Sequence, residues 1–422
     1  MNKSEYWVIS RIRDTVENAR KRYHSIVWIH FWLTMSRCIT GFMLYPYLVI
    51  YMTEQLGASA VAAAGAISFP PLIALFFKLW AGNISDRFGR RPVFLYSPLM
   101  RFFVLIAMVF ATEVWHFYVL LVLNGLCLNL FAPAMHAQIA DVVSEEKRME
   151  AYSLNNIAIN IGISVGPLLG VAVYQLNPPL IFGAEAIVAL LTVWVVYLKI
   201  PETLPQSNEQ TAVPAKQPVW LGLASHWPLY LLILLTVPIY MVEMQINSTL
   251  PLYLKEHFVD YLLVYGILRT VTGVLTAVLQ MPITLWSKRW KSTHVIFAGY
   301  LLLVGYGLIY GFAPFFWMLV VAECCWVMSD MLLDPRLKKV VSMMAKPQVR
   351  ARYFSLYDLN LSLGKMTAPV LGSVVLVSYG GQMLFGGLAA LLLLTGVFQL
   401  LLISRILAVK TKQMPEASEE VG

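Results

Sequence analysis

Charge is scarce in this sequence. Asp, Glu, Lys and Arg make up 13% of the 422 residues against 59% that are apolar, and the mean hydropathy is +0.68. A soluble globular chain carries about twice that share of charge, so a water-soluble domain is excluded. Cysteine is scarce too. Cys38, Cys127, Cys324 and Cys325 all fall inside apolar runs, which excludes a disulfide framework and any zinc spacing. The seven histidines are scattered, so no metal site is expected. There is no nucleotide-binding glycine pattern and no Ser/His/Asp set, so neither enzyme chemistry nor a cofactor is expected. The first 24 residues lack the apolar stretch of a cleavable leader, so the first apolar run is expected to direct insertion. That prefix reads equally as a solvated basic tail or as a surface-lying amphipathic helix with Val8, Ile12, Val16, Ala19 and Tyr23 on one face.

Long apolar runs are what the sequence has in abundance. A helix needs about 20 residues to cross the hydrocarbon core of a bilayer. Twelve such runs are legible: 26–51, 60–81, 95–112, 115–138, 152–175, 180–199, 228–251, 262–285, 295–312, 315–334, 353–377 and 383–404. The expected fold class is therefore an all-α polytopic membrane protein with twelve transmembrane helices, for which the lipid bilayer is the solvent.

The net charge of +8 is no sign of nucleic acid, because of where it lies. Lys and Arg concentrate in the prefix, in 82–94, 144–150, 199–216, 287–292 and 336–352, and in the tail, whereas the alternate loops carry only Lys255. The positive-inside rule then makes the basic side cytoplasmic, with both termini there, in a cell membrane.

The chain also repeats itself at a constant offset, 148 against 350. "RMEAYSLNNIAINIGISVGPLLG" (148–170) aligns with "RARYFSLYDLNLSLGKMTAPVLG" (350–372), "SDRFGRRPV" (85–93) with "SKRWKSTHV" (287–295), and Pro133 with Pro335. Two homologous six-span bundles follow, 26–200 and 228–404. They are flanked by an N-terminal segment 1–25, a linker 201–227 and a tail 405–422.

With these residues in place, the sequence resembles the major facilitator superfamily over nearly its whole length. "GNISDRFGRRPV" (82–93) is similar to that family's loop motif between the second and third helices, with Ile84 in the leucine place. "GISVGPLLG" (162–170), with Gly162, Gly166, Pro167 and Gly170, resembles the fifth-helix motif of the drug–proton antiporter branch. The chain departs from the pattern at "LLVLNGLCL", which has no arginine in the fourth span, and at Arg37, where many relatives have an acid. The resemblance implies that Gly82, Asp86, Arg87, Gly89, Arg90 and Arg91 form a cytoplasmic gating motif. Asp86 would meet the N-terminus of the eleventh helix, and Arg90 would meet Asp141. The alternative is a basic loop that serves topology alone.

Polar residues inside spans are costly and suggest function. They form stripes at helical spacing: His30, Thr34, Arg37 and Gly41; Thr236, Tyr240, Glu243 and Asn247; Arg269, Thr272, Thr276 and Gln280; Glu323, Asp330 and Asp334; Asp358, Ser362 and Lys365. In the architecture that the resemblance implies, these helices line a central cavity. Glu243 and Glu323 lead as proton carriers, with Asp330 third. His30, Thr34, Arg37, Tyr45, Tyr240, Asn247, Arg269, Thr272, Thr276, Trp326 and Lys365 are the candidates for contact with substrate. Lys78 and Arg101 are expected to snorkel to the surface, and Glu185 to be structural. The reading is a monomeric secondary transporter that exchanges protons for an amphipathic, drug-like small molecule. The alternatives are a transporter of a metabolite, siderophore or lipid, a polytopic membrane enzyme, and a non-transporting sensor.

Overall fold

A computed structural model describes residues 24–203, 223–312, 315–344 and 350–419. The prefix and most of the linker lie outside the described residues.

Every element among the described residues is helical. The first span is two pieces, α1 (Ser25–Leu44) and α2 (Tyr47–Glu54); α3 (Ala60–Phe88), α4 (Arg90–Val109), α5 (Val114–Val142), α6 (Glu145–Leu176) and α7 (Leu180–Lys199) follow. The seventh span is again two pieces, α8 (Leu223–Ser248) and α9 (Leu250–His257), before α10 (Tyr261–Ser287), α11 (Ser292–Phe312) and α12 (Phe316–Met344). Then come α13 (Arg350–Tyr357) and α14 (Leu359–Glu419). Ten of the described stretches are long and apolar enough to cross a membrane. The last of these runs 48 residues, Leu359–Ile406, and divides at Gly380 (φ 81°), which makes two spans. With α3, apolar over Ala60–Ala74 among the described residues, the total among them is twelve.

Helices outlast the apolar runs on which they were read. Helix α4 begins at Arg90 rather than at residue 95, and α12 continues to Met344 rather than stopping at 334. Backbone hydrogen bonding does not end where hydrophobicity ends. For the same reason "GNISDRFGRRPV" is not the tight loop that its charges suggest: α3 runs through Phe88 and the whole turn is Gly89, at φ 98°. That left-handed conformation suits glycine.

Outward faces are apolar, as lipid requires. On α7, Leu190, Leu191, Trp194 and Leu198 are exposed while Phe182, Ala186, Ala189 and Val196 are buried. The chain sorts into two compact units, one of Met1–Leu44 with Ile73–Asn208, the other of Tyr45–Leu72 with Glu209–Gly422. Within the second unit, Glu54 of α2 accepts hydrogen bonds from Lys255 of α9 (2.7 Å) and from the Tyr261 hydroxyl (2.5 Å).

The internal repeat is present in the packing. In the first unit a Cβ on Gly162 would stand 2.5 Å from Cβ of Cys38; in the second a Cβ on Gly364 would stand 2.7 Å from Cβ of Tyr240. These are the same two positions at the offset read from the sequence. Likewise Ser97 Oγ donates to the Cys127 carbonyl at 2.7 Å, and Ser329 Oγ donates to the Gly299 carbonyl at 2.8 Å. Again the positions correspond, with the donor on the opposite helix.

Candidate functional site

In the second unit, α10, α11 and α12 bring a closed polar network together inside the bundle. The Glu323 carboxylate is fully buried. It pairs with Arg269 Nη1 at 3.2 Å and accepts hydrogen bonds from Thr272 Oγ1 at 2.6 Å and Tyr310 Oη at 2.7 Å. The Thr272 hydroxyl is thus aimed at Glu323 rather than into open space. Thr276 bonds back to the Thr272 carbonyl, 2.8 Å away, and Asn247 to that of Glu243, 3.4 Å away. Sequence spacing could not reveal Tyr310, because its helix carries no polar stripe.

About two turns along α12 the environment opens. Glu243 and Asp330 line a pocket with Tyr240, Trp326, Asp334 and Tyr357. Asp334 is tied to Lys338 at 2.8 Å. Glu243 is half-buried and Asp330 exposed to the pocket, and among the described residues neither has a hydrogen bond or an ion pair through its carboxylate. Lys365 and Arg269 lie within electrostatic reach of Glu243. The arrangement therefore separates one saturated carboxylate from two free ones.

The first unit corrects several expectations. Arg101 does not snorkel: near the middle of α4 it turns inward, bonds Asn124 Oδ1 at 2.9 Å and ion-pairs with Glu185, whose side chain is fully buried. With both groups inside the bundle each is the other's counter-charge, and removing either would leave the other buried and unmatched. His30 and Thr34 do not line a cavity either, each being only 1% exposed. The His30 ring bonds Gln138 at 2.7 Å and lies against Phe94, and the Thr34 hydroxyl points at the Met135 sulfur, 3.6 Å away. Arg37 does line a small pocket, with its Cζ 4.5 Å above the centre of the Phe131 ring.

For Gly82, Asp86 and Arg87 only the helical backbone is described, so the meeting expected of Asp86 lies outside the described side chains. The rest of the motif is visible. Arg90 Nε stands 3.5 Å from Asp141 Oδ2, and Arg91 Nη2 donates to the Tyr197 carbonyl at 3.0 Å. Sequence reasoning missed Glu202. Its two carboxylate oxygens accept the backbone N–H groups of Arg90 and Arg91, each at 3.0 Å, and so cap the start of α4. The one signal was an acid two residues beyond Ile200, in "IPETLP". An anion at a helix N-terminus satisfies orphan donors and the helix dipole. Glu202→Gln is expected to lower stability by about 1 kcal/mol and to depress the thermal midpoint in detergent; an unchanged midpoint would leave the cap without weight.

The fifth-helix motif sits where α6 meets α1. A Cβ on Gly166 would come 2.6 Å from the Ile39 carbonyl oxygen and 2.8 Å from Cβ of Phe42. Pro167 and Gly170 are buried beside it, and Tyr45 precedes the break at Pro46.

Comparison with known proteins agrees with this architecture. The family description "Major Facilitator Superfamily" matches residues 31–329 and 232–420. The chain is 29% identical over 378 residues to the MFS-type transporter YhjO of Bacillus subtilis, covering 90% of this chain and 93% of that one. It is 25% identical to a Na(+), Li(+), K(+)/H(+) antiporter of Planococcus maritimus, covering 78% and 84%. It is also 25% identical to the multidrug resistance protein MdtH of Yersinia enterocolitica, covering 76% and 80%. Among solved structures, the peptide transporter POT superposes with a TM-score of 0.75 at 16% identity, over 90% of this chain and 94% of that one. The apolar helices among the described residues, packing contacts that correspond at the repeat offset and a family match across nearly the whole length lead to one conclusion: the chain belongs to the major facilitator superfamily and is a membrane transporter, not an enzyme.

Proposed function

We propose that this transporter exports amphipathic, drug-like compounds in exchange for protons, with Glu243 and Asp330 as the groups that take up and release the proton. The observation that carries this reading is the pair of carboxylates facing one pocket without hydrogen-bond or ion-pair partners among the described residues. A carboxyl group held in that setting changes its proton affinity with its exposure and with the approach of a cation. Tyr240, Trp326 and Tyr357 offer aromatic surface in the same pocket. Kinship with a multidrug resistance protein and with a proton antiporter supports the direction and the coupling ion. In this reading Glu323, first in rank with Glu243 from sequence, becomes an anchor, because three donors already satisfy it. Glu185, the acid inside the first unit, is likewise held by Arg101. The protein would work as a monomer in the cell membrane, with its basic segments and both termini in the cytoplasm.

The test is proton flux in vesicles containing purified protein. Glu243→Gln, Asp330→Asn and the double variant are expected to fold normally. Each single change should reduce proton movement on addition of a lipophilic dye, and the double should abolish it. Undiminished flux in the double variant would refute the assignment. The antiporter relative supports a second cargo class, alkali cations. A pH gradient collapsed by sodium or potassium alone, with no dye moved, would decide for it.

A further inference from the structure

We propose that the turn between α10 and α11 is a docking surface for an anionic phospholipid, whose phosphate meets Lys288, Arg289 and Lys291 in the leaflet on the basic side of the membrane. Helix α10 ends at Ser287 and α11 begins at Ser292, so the turn is Lys288 to Lys291. Its three basic residues are exposed, and among the described residues none has a hydrogen bond or an ion pair through its side chain. Topology alone asks for Lys and Arg in such a turn. It does not ask for the surface around them.

The corresponding turn of the first unit satisfies its charge internally. At the repeat offset Asp86 corresponds to Lys288, and Arg90 and Arg91 to Ser292 and Thr293. In the first unit Arg90 meets Asp141, Arg91 donates to the Tyr197 carbonyl, and Glu202 accepts both N–H groups at the start of α4. In the second unit a lysine stands where the acid was, and among the described residues no carboxylate pairs with the turn. The buried Arg336 of α12 does reach the Ser287 carbonyl, which fixes the end of α10 but brings no counter-charge.

The surface beside the turn is ordered as a phospholipid is. On α10, Val274, Val278, Met281 and Leu285 recur at helical spacing on the face opposite Thr272 and Thr276, and all four are exposed. The rise from Val274 to Leu285 is about 16 Å, close to the ~15 Å that the acyl chains of one leaflet occupy. Next come Trp286 and Trp290, both exposed, with ring centroids 5.6 Å apart. Amphipathic rings of this kind sit at the level of the lipid esters. The three cations follow. Beyond the turn, Phe297 and Leu301 of α11 are again exposed and apolar. Acyl chain, ester and phosphate thus meet apolar, aromatic and basic side chains in that order, and a negative headgroup supplies the missing counter-charge. A free phosphate would use only the last of the three. The surface shares no residue with the pocket of Glu243 and Asp330 and does not depend on the export reading.

The full chain, purified and delipidated in detergent, would be titrated with phosphatidylglycerol and with phosphatidylcholine of the same acyl chains, counting bound lipids by native mass spectrometry. Wild type is expected to retain phosphatidylglycerol in preference. The triple variant Lys288→Gln, Arg289→Gln, Lys291→Gln should bind it about a hundredfold more weakly, with phosphatidylcholine binding unchanged. Lys147→Gln, Lys199→Gln, Arg405→Gln removes the same charge from exposed positions elsewhere and should leave phosphatidylglycerol affinity nearly unchanged. Equal affinity of wild type for the two lipids, or an equal loss in both triple variants, would overturn the surface. So would displacement of phosphatidylglycerol by inorganic phosphate at equal concentration, which would make a free anion the occupant. Should the first triple variant fail to insert, Trp286→Ala with Trp290→Ala decides, because every charge that directs insertion stays. Phosphatidylglycerol should then bind about fivefold more weakly, and unchanged affinity also overturns the proposal.

Discussion

Gly166→Leu is expected to yield no recoverable folded protein. Helices in lipid gain little from hydrophobic association with one another, so close contact between small residues has to hold them together. At Gly166 the approach is backbone to backbone: even a single Cβ would stand 2.6 Å from the Ile39 carbonyl oxygen and 3.1 Å from the Met43 nitrogen. No rotamer relieves such a contact, because the opposing atoms are main chain. Helix α6 would have to move off α1 along its length, and the nearby contact of Gly162 with Cys38 would be lost with it. Gly166→Ala should already reduce the yield of monodisperse protein on size exclusion. Gly183→Ala is the control, since nothing stands within 4 Å of a Cβ there. Normal yield of the leucine variant would show that the two helices are not held at this distance.

The second large effect is expected at Glu323. Glu323→Gln removes the counter-charge of Arg269 while leaving the guanidinium inside the bundle, where its side chain is only 11% exposed. Breaking a buried pair on one side costs about 3–5 kcal/mol, which should appear as a large drop in thermal midpoint. Replacing both partners, Glu323→Gln with Arg269→Met, should restore much of the loss, because no charge is then left unmatched. A proton carrier would behave otherwise, with the single variant folding like the parent and failing only in flux. Wild-type stability in Glu323→Gln would return this residue to the list of carriers.

Much of this was legible in the sequence, for physical reasons that differ from element to element. The span 180–199 was read to the residue, because α7 begins directly after Pro178–Pro179 and its last residue is Lys199. The repeat was legible because close packing tolerates few residue types, so Gly162 and Gly364 survive at corresponding positions. Arg101 was not legible. Its place about a turn into the apolar run 95–112 fitted snorkelling, and the carboxylate that holds it lies 84 residues away. Polar stripes showed which residues share a helical face but not which face is filled. His30 and Thr34 share a stripe with Arg37, yet both are packed inside the unit. Glu202 was hidden because its role depends on the chain passing the start of α4, which no local pattern encodes.

The exchanged hydrogen bonds, from Ser97 to Cys127 and from Ser329 to Gly299, carry an evolutionary consequence. One crossing uses a carbonyl of the later helix and the other a carbonyl of the earlier one, so at equivalent crossings the bond needs one hydroxyl and is indifferent to which side supplies it. A duplicated ancestor could then drift through an intermediate with serine at both positions without ever losing the link. The double exchange Ser97→Gly with Cys127→Ser should accordingly be tolerated, while Ser97→Gly alone leaves the crossing unbridged.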